Sequence, residues 1–590
     1  MFLQGRARKG LTVTGALLLS TALAAPAFAE IEEVIVTAQK KSEDIQQVPI
    51  AVSAFGAQDL AAHQIENFKD LQFQIPSVTF TNGNFGGANF QIRGIGSAAV
   101  GVSGDAGVSV NVNQFYLSAP PLTNGTYYDV SQIQVLRGPQ STLWGRNATG
   151  GAIDVETAKP DLDAFGADLE ATLGNYSDEE VRAMVNVPVE NGQLAIRLAT
   201  FWENRDGTVD NIFRGPGVAS SVDSRNDYSF RGSVRWEPTS NATVDLMMQT
   251  AHEDDSRVRA QKQLCHRDPS GILGCLPDSA GFEPLNGNAT LGVVLDSNVT
   301  LGDPFSLFDI TGPGACTNPA DPSTCGEGAF ATVPHSLRSI DTNFTPTNRN
   351  NDTLSMAHWN QRWLSWLSSD LTLGVDRNDY ASRESYFNSP GDLFSQNKST
   401  CVQDFLLGDP TCSLPLDRLT AAQLIFGAVA PIDYSAFFAN NLGLMPESGV
   451  GNNGIIGGNF RVVSPRLETD DLEQGSNRNW SGELRFTTDL GGPVNFLFAG
   501  YHLQQTAETQ YLVMSNGLDY FGIIYAGAAL GADGTVLGPT FYDNNSAKYS
   551  LTSNALFGEV YYDAIPNAMA SSPALIRAGE EPTPDALGAV

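Results

Sequence analysis

The chain has 590 residues, with 65 acidic against 34 basic side chains and a formal net charge of −31 at neutral pH. So large a negative surplus argues against nucleic acid as a partner. Abundant Gly, aromatics, Asn and Thr, without dominance of helix formers, point to a chain made mainly of strands and turns.

Residues 1–29 read as an export signal. Arg6, Arg8 and Lys9 form a basic start, Leu11 to Ala24 a short apolar run, and Ala27-Phe28-Ala29 a small-x-small site, so cleavage leaves Glu30 first. The run is shorter than the ~20 residues that span a bilayer, and no later stretch reaches ~18 apolar residues without a charge. Residues 30–46 are polar around one β-branched patch, Glu33-Val34-Ile35-Val36-Thr37. Such a patch in a flexible tail either adds as a strand to another protein's sheet or starts its own domain, and local sequence leaves both open.

Residues 47–159 read as a small mixed α/β domain. Pro49 to Phe55 is a strand, Asp59 to His63 and Asn67 to Phe73 are short helices, and Pro76 stops the second. Phe90 to Ile92 runs into an Arg93-Gly94 corner; Val108 to Val112 and Phe115 to Leu117 follow. Ile133 to Leu136 enters the corner Arg137-Gly138-Pro139, a glycine-dense segment comes next, and Ala152 to Thr157 alternates as a second strand, with Ala152, Asp154 and Glu156 on one face.

Four pieces of this domain, Ile92-Arg93-Gly94, Leu136-Arg137-Gly138-Pro139, Leu143-Trp144-Gly145-Arg146-Asn147-Ala148 and Gly150-Gly151-Ala152-Ile153, closely resemble the plug domain of TonB-dependent outer-membrane receptors. The chain departs from the family at Val112-Asn113-Gln114, where many members carry Val-Asp-Gly, and a changed turn is expected there. The resemblance implies that Glu33 to Thr37 is the TonB box, the strand grasped by the TonB protein.

From about residue 164 the pattern becomes strict alternation. Phe165, Leu169 and Leu173 lie opposite Asp168, Glu170 and Thr172; Leu194, Ile196, Leu198 and Trp202 lie opposite Arg197; Trp480, Leu484 and Phe486 lie opposite Ser481, Glu483 and Arg485. Apolar-out, polar-in strands suit a transmembrane antiparallel β-barrel, whose strands need ~9–11 residues. Tight turns at Asn191-Gly192, Pro238 to Asn241, Ser368 to Asp370 and Gly491 to Pro493 alternate with long segments near 256–350, 388–473 and 512–547. Trp359, Trp363 and Trp366 suit an aromatic girdle or buried packing.

About ten strand candidates lie between 164 and 563, against roughly 22 in plugged transporters of this type. The barrel, assigned to 160–563, is therefore expected to be incomplete, with 564–590 a non-barrel tail. The expected fold is mainly β: a small plug followed by a partial barrel.

Cys265, Cys275, Cys316, Cys325, Cys401 and Cys412 fall into three close pairs inside loop-like segments. In an oxidising compartment they read as local disulfides, each closing about ten residues and stabilising by ~2–3 kcal/mol. No Cys-x-x-Cys spacing occurs and the histidines are scattered, so no metal site is expected. Gly449 to Gly454 matches a dinucleotide glycine pattern without a strand before it or a helix after it, which makes it a loop. No catalytic constellation is present; the chain is not expected to be an enzyme or to hold a cofactor.

What the resemblance implies about function is TonB-dependent import of a scarce solute, siderophore-like by family default, across the outer membrane of a Gram-negative cell. The implied partners are the TonB protein, outer-membrane lipid and the solute. The resemblance also implies ion pairs between plug arginines Arg93 and Arg137 and barrel-wall glutamates Glu483 and Glu559. Two other readings stay open, a receptor remnant unable to assemble and a passive porin.

Overall fold

A computed structural model describes residues 34–82, 88–96, 106–118, 127–190, 192–215, 217–258, 264, 266–267, 275–276, 336–342, 344–385, 469–515, 542–565 and 568–574. The signal segment, Glu33, the Gly449–Gly454 loop and the side chains of all six cysteines lie outside the described residues.

Residues up to Val48 form one unit and those from Pro49 onward another. In the first, β1 (Ile35–Val36) pairs antiparallel with β2 (Glu43–Asp44). The Ile45 N–H donates to the Val34 carbonyl at 2.9 Å, and the Asp44 carboxylate caps the following 3-10 turn by accepting from the Gln46 N–H at 2.9 Å.

The second unit opens with a small domain. Its strands are β3 (Ala51–Gly56), β4 (Val78–Asn82), β5 (Ala88–Ile92), β6 (Ile95–Gly96), β7 (Val108–Val112), β8 (Phe115–Tyr116), β9 (Val130–Arg137) and β10 (Gly151–Thr157); its helices are α1 (Ala57–Ala62), α2 (Leu71–Gln74) and α3 (Ser141–Trp144). One sheet has the order β3-β9-β10-β7-β8, with only β7 and β10 parallel; β4-β5-β6 form another. The expected second helix is a 3-10 turn, Phe68–Asp70, running into α2. Asn67 caps it, accepting from the Lys69 N–H at 3.0 Å, while Asp70 accepts in return from the Asn67 N–H at 3.1 Å. The chain turns extended at Ile75, as the residue before proline must.

The glycine-dense segment contains the one-turn helix α3, and both faces of β10 are covered, with Asp154 fully buried. Gly151 is where β10 crosses closest to β9. Its φ is +155°, and a Cβ there would lie 2.2 Å from the Leu136 carbonyl oxygen, so only glycine fits.

The remaining strands are β11 (Gly166–Leu173), β12 (Glu179–Glu190), β13 (Leu194–Arg205), β14 (Val209–Asn211), β15 (Ser221–Val222), β16 (Arg225–Thr239), β17 (Ala242–Asp255), β18 (His266–Arg267), β19 (Cys275–Leu276), β20 (Ser339–Ile340), β21 (Thr347–Leu364), β22 (Leu367–Ser385), β23 (Thr469–Thr488), β24 (Val494–Ser515), β25 (Tyr542–Ile565) and β26 (Ala568–Ala574). Eleven of them form one antiparallel sheet in the order β11-β12-β13-β16-β17-β21-β22-β23-β24-β25-β26. The last, β26, falls in the segment 564–590 read from sequence as a non-barrel tail; it pairs with β25, Gly558 opposite Ala574.

Alternation in this sheet is inside out relative to a soluble sandwich. Phe230, Trp236, Val375, Trp480, Leu484, Phe498 and Leu556 are exposed, whereas Ser229, Arg231, Asn378, Asn479, Ser481, Arg485 and Glu559 are buried. A sheet with its apolar face outward and its polar face covered is built for lipid. Trp363 and Trp366 are exposed at the tight-turn end of β21 and β22. That turn is Ser365-Trp366 rather than Ser368 to Asp370, which lie inside β22.

Candidate functional site

The buried polar face of the sheet is wrapped onto the small domain, and the contacts between them form the candidate site. Its strongest element is a clamp on Tyr128 and Asp129, just ahead of β9. Arg197 of β13 grips Asp129 through both carboxylate oxygens: its Nε donates to Oδ2 at 2.9 Å, and its Nη2 to Oδ1. The side chains are only 13% and 9% exposed. Arg231 of β16 is buried, donates from Nη1 to the carbonyls of Tyr128 at 3.2 Å and Asp129 at 3.0 Å, and sits 4.5 Å from the Tyr128 ring centre. The Tyr128 hydroxyl meets Ser229 Oγ at 2.7 Å and its ring stacks on Phe201 at 6.1 Å. Burial pushes the Tyr128 phenol up against the opposing pull of Arg231, so it stays a neutral hydrogen-bonding group.

A second contact line follows β7 and β8. The Asn113-Gln114 turn holds both residues at positive φ (48° and 67°). Asn113 exchanges hydrogen bonds with Thr157, Nδ2 to Oγ1 at 2.9 Å and Thr157 N–H to Oδ1 at 2.9 Å, while the Gln114 N–H is capped by buried Asp154 at 2.9 Å. From the wall, Arg485 reaches Gln114 Oε1 at 3.4 Å. Asn479 Nδ2 donates to the Tyr116 carbonyl at 3.0 Å, Asn477 Nδ2 to Ser118 Oγ at 3.0 Å, and Ser118 Oγ to Asp376 at 3.3 Å.

Phe115 packs flat on Gly374 of β22. A Cβ at Gly374 would lie 2.3 Å from Phe115 Cδ2, and the ring is fully enclosed. Gly374→Ala is therefore expected to lower stability by about 1–3 kcal/mol through overpacking. Thermal unfolding in detergent measures it, and trimming the ring with Phe115→Leu should recover part of the loss. No recovery would remove Phe115 as the cause.

The four charged residues expected to pair stand as follows. Arg93 (φ 55°) and Gly138 meet where the two Arg-Gly corners touch, with Arg93 Nη1 3.6 Å from the Cβ position of Gly138. Arg137 has its Nε buried without a hydrogen-bond acceptor. Glu483 pairs with Arg485 of its own strand at 2.9 Å, and Glu559, which is buried, accepts from Tyr561 at 2.7 Å. Among the described residues Asp129–Arg197 is an ion pair that crosses between domain and wall, with the acid on the domain and the base on the wall. The available signal was Arg197 on a polar face; nothing in the sequence named its partner. Of the expected TonB box, Ile35–Val36 forms β1, flanked by Val34 and Thr37.

Comparison with known proteins agrees with this geometry. Residues 44–152 match the TonB-dependent Receptor Plug Domain. The chain is 32% identical over 237 residues to the iron-regulated outer membrane virulence protein of Vibrio cholerae, a stretch covering 37% of this chain and 35% of that protein. It is 25% identical over 210 residues to the pesticin receptor of Yersinia pestis, covering 35% and 30% respectively. The chain thus spans about a third of the length of these curated relatives. Among solved structures, the ferripyoverdine receptor of the outer membrane of Pseudomonas aeruginosa superposes with a TM-score of 0.50 at 9% identity, covering 93% of this chain and 56% of the receptor. The FpvAI–pyocin S2 complex gives 0.51 at 10% identity, with 93% and 56% covered. The plug-domain match over residues 44–152, the covered polar face of the sheet and these relatives make the chain similar to TonB-dependent outer-membrane receptors.

Proposed function

We propose that this chain serves TonB-dependent uptake of an iron chelate of the siderophore class across the outer membrane. The observation that carries the reading is a lipid-type sheet whose polar face is held onto a plug domain by breakable polar contacts, with Asp129–Arg197 at their centre. A passive pore needs no such clamp, because nothing has to move. Two relatives point to the solute class: one is an iron-regulated outer-membrane protein and another, from Salmonella typhimurium, a ferrioxamine B receptor. The work in this reading is mechanical, with binding outside, release within, and energy delivered through the segment around Ile35. Within the described sheet β11 and β26 are edges, and open edges are not tolerated in lipid; the reading therefore includes their closure in the membrane.

The test has two stages. The protein should fractionate with outer membranes and show heat-modifiable gel mobility, the sign of a closed barrel. In a host stripped of siderophore receptors it should then support growth on at least one ferric siderophore of a panel, and only when TonB is present. Growth independent of TonB would indicate a pore; absence from the outer membrane, or no growth on any chelate, would overturn the uptake reading.

A further inference from the structure

The covered face of the wall has one place where buried oxygen is in excess. Strand register sets Asp352 of β21 opposite Asn378 of β22, and Asp376 of β22 opposite Asn479 of β23. Directly opposed side chains on antiparallel strands have Cβ atoms ~4.5–5.5 Å apart, so these four make one patch. Asp376, Asn378 and Asn479 are 0%, 0% and 1% exposed. The amides are oriented by their N–H groups: Asn378 Nδ2 donates to Asn350 Oδ1 at 2.7 Å and Asn479 Nδ2 to the Tyr116 carbonyl at 3.0 Å. Their oxygens are left over. Oδ1 of Asp352, of Asp376, of Asn378 and of Asn479 are each buried with no donor. Asp376 repels Asp352, and among the described residues no cationic side chain pairs with either carboxylate. Ser118 Oγ is the side-chain donor that reaches Asp376, at 3.3 Å.

Two neighbouring carboxylates with buried oxygens and no cationic side chain persist only when something else neutralises them. We propose that Asp352, Asp376, Asn378 and Asn479 form a binding site for a hard divalent cation of the Ca2+ type, placed where the plug strand β8 meets wall strands β21, β22 and β23. The donor set is all oxygen, which suits Ca2+ and disfavours the softer transition metals. Two carboxylates match its charge, and its tolerant coordination accepts ligands fixed on strands, with water completing the shell. Because Asn479 also holds the Tyr116 carbonyl and Asp376 holds Ser118, an ion there braces the plug against the wall. The other tight carboxylate group, Asp227, Glu253 and Asp255, is already filled by Arg257, whose Nη2 lies 3.4 Å from both Asp227 and Asp255.

The test uses the purified full chain in detergent after treatment with a chelator. Equilibrium dialysis against radiolabelled Ca2+ should find one tightly held ion per chain. CaCl2 should raise the thermal unfolding temperature by several degrees over NaCl of equal ionic strength. Asp376→Asn should weaken the affinity by about tenfold or more, as loss of one charged ligand does. If that variant does not fold, Asp352→Asn asks the same question while leaving the Ser118 contact in place. No bound ion and no thermal shift would overturn the site, as would a shift of equal size in both variants. Stability that rises as pH falls without Ca2+, and loses that rise in Asp352→Asn, would mean a shared proton instead and would also overturn it.

Discussion

Asp129→Asn is expected to cost about 3–5 kcal/mol of stability, the size found when one partner of a buried ion pair is removed. The substitution keeps the side-chain shape and suits the φ of 50° at this position, so backbone strain does not enter. What it removes is the charge facing Arg197, leaving a guanidinium only 13% exposed without its carboxylate. Arg231 still binds the carbonyls of Tyr128 and Asp129, so the segment should loosen rather than detach. The double variant Asp129→Asn with Arg197→Met should fall much closer to the parent, since removing both charges leaves none stranded. Thermal unfolding in detergent over the four-member cycle gives the coupling energy, and protease nicking within residues 49–157 reports whether the small domain has come loose. Additive single effects would show that the contact holds nothing. A double variant as unstable as Asp129→Asn would place the loss in packing around Tyr128.

How much of this was legible in the sequence depends on what each feature needs. The sheet was legible because lipid on one side and a polar interior on the other impose a period of two, and Trp480 to Phe486 display it without help from distant residues. The plug was legible because its corners demand particular residues, as Gly151 shows at its close approach to Leu136. The turn between β21 and β22 was misplaced because Ser365-Trp366 carries no Gly, Pro or Asn, whereas Ser368-Ser369-Asp370 looks like a turn and is strand. Alternation placed Asp154 on one face with Ala152 and Glu156, but alternation alone cannot show that both faces of β10 are covered. The site itself was the least legible part. Alternation places Glu483, Arg485 and Glu559 on the inner face, but which luminal side chain meets which plug residue depends on how the small domain is rotated within the wall. Glu483 lies beside Arg485 of its own strand, and Arg197 meets Asp129.

Ile35→Pro is expected to abolish energised uptake while leaving ligand binding at the cell surface intact. The reasoning rests on the proposed role of residues 33–37 as the strand that TonB grasps. In this structure β1 is two residues long and pairs with the two residues of β2, and a hairpin that small is marginal in water, so it gives way readily to a longer pairing. Addition of a partner strand is held by main-chain hydrogen bonds, and proline at 35 deletes a donor and strands the acceptor opposite. A loss of about 2 kcal/mol for that defect is about 30-fold in affinity for the partner strand, enough to uncouple a pulling mechanism. Ile35→Val keeps both the donor and the strand preference and should transport normally. Surface binding and uptake of the same ferric chelate, measured on the same cells with and without TonB, separate the two steps. Binding kept and uptake reduced to the TonB-free level is the expected pair of results. Equal loss of both would place Ile35 in the folding of the receptor, and undiminished uptake would mean that force enters the plug somewhere other than β1.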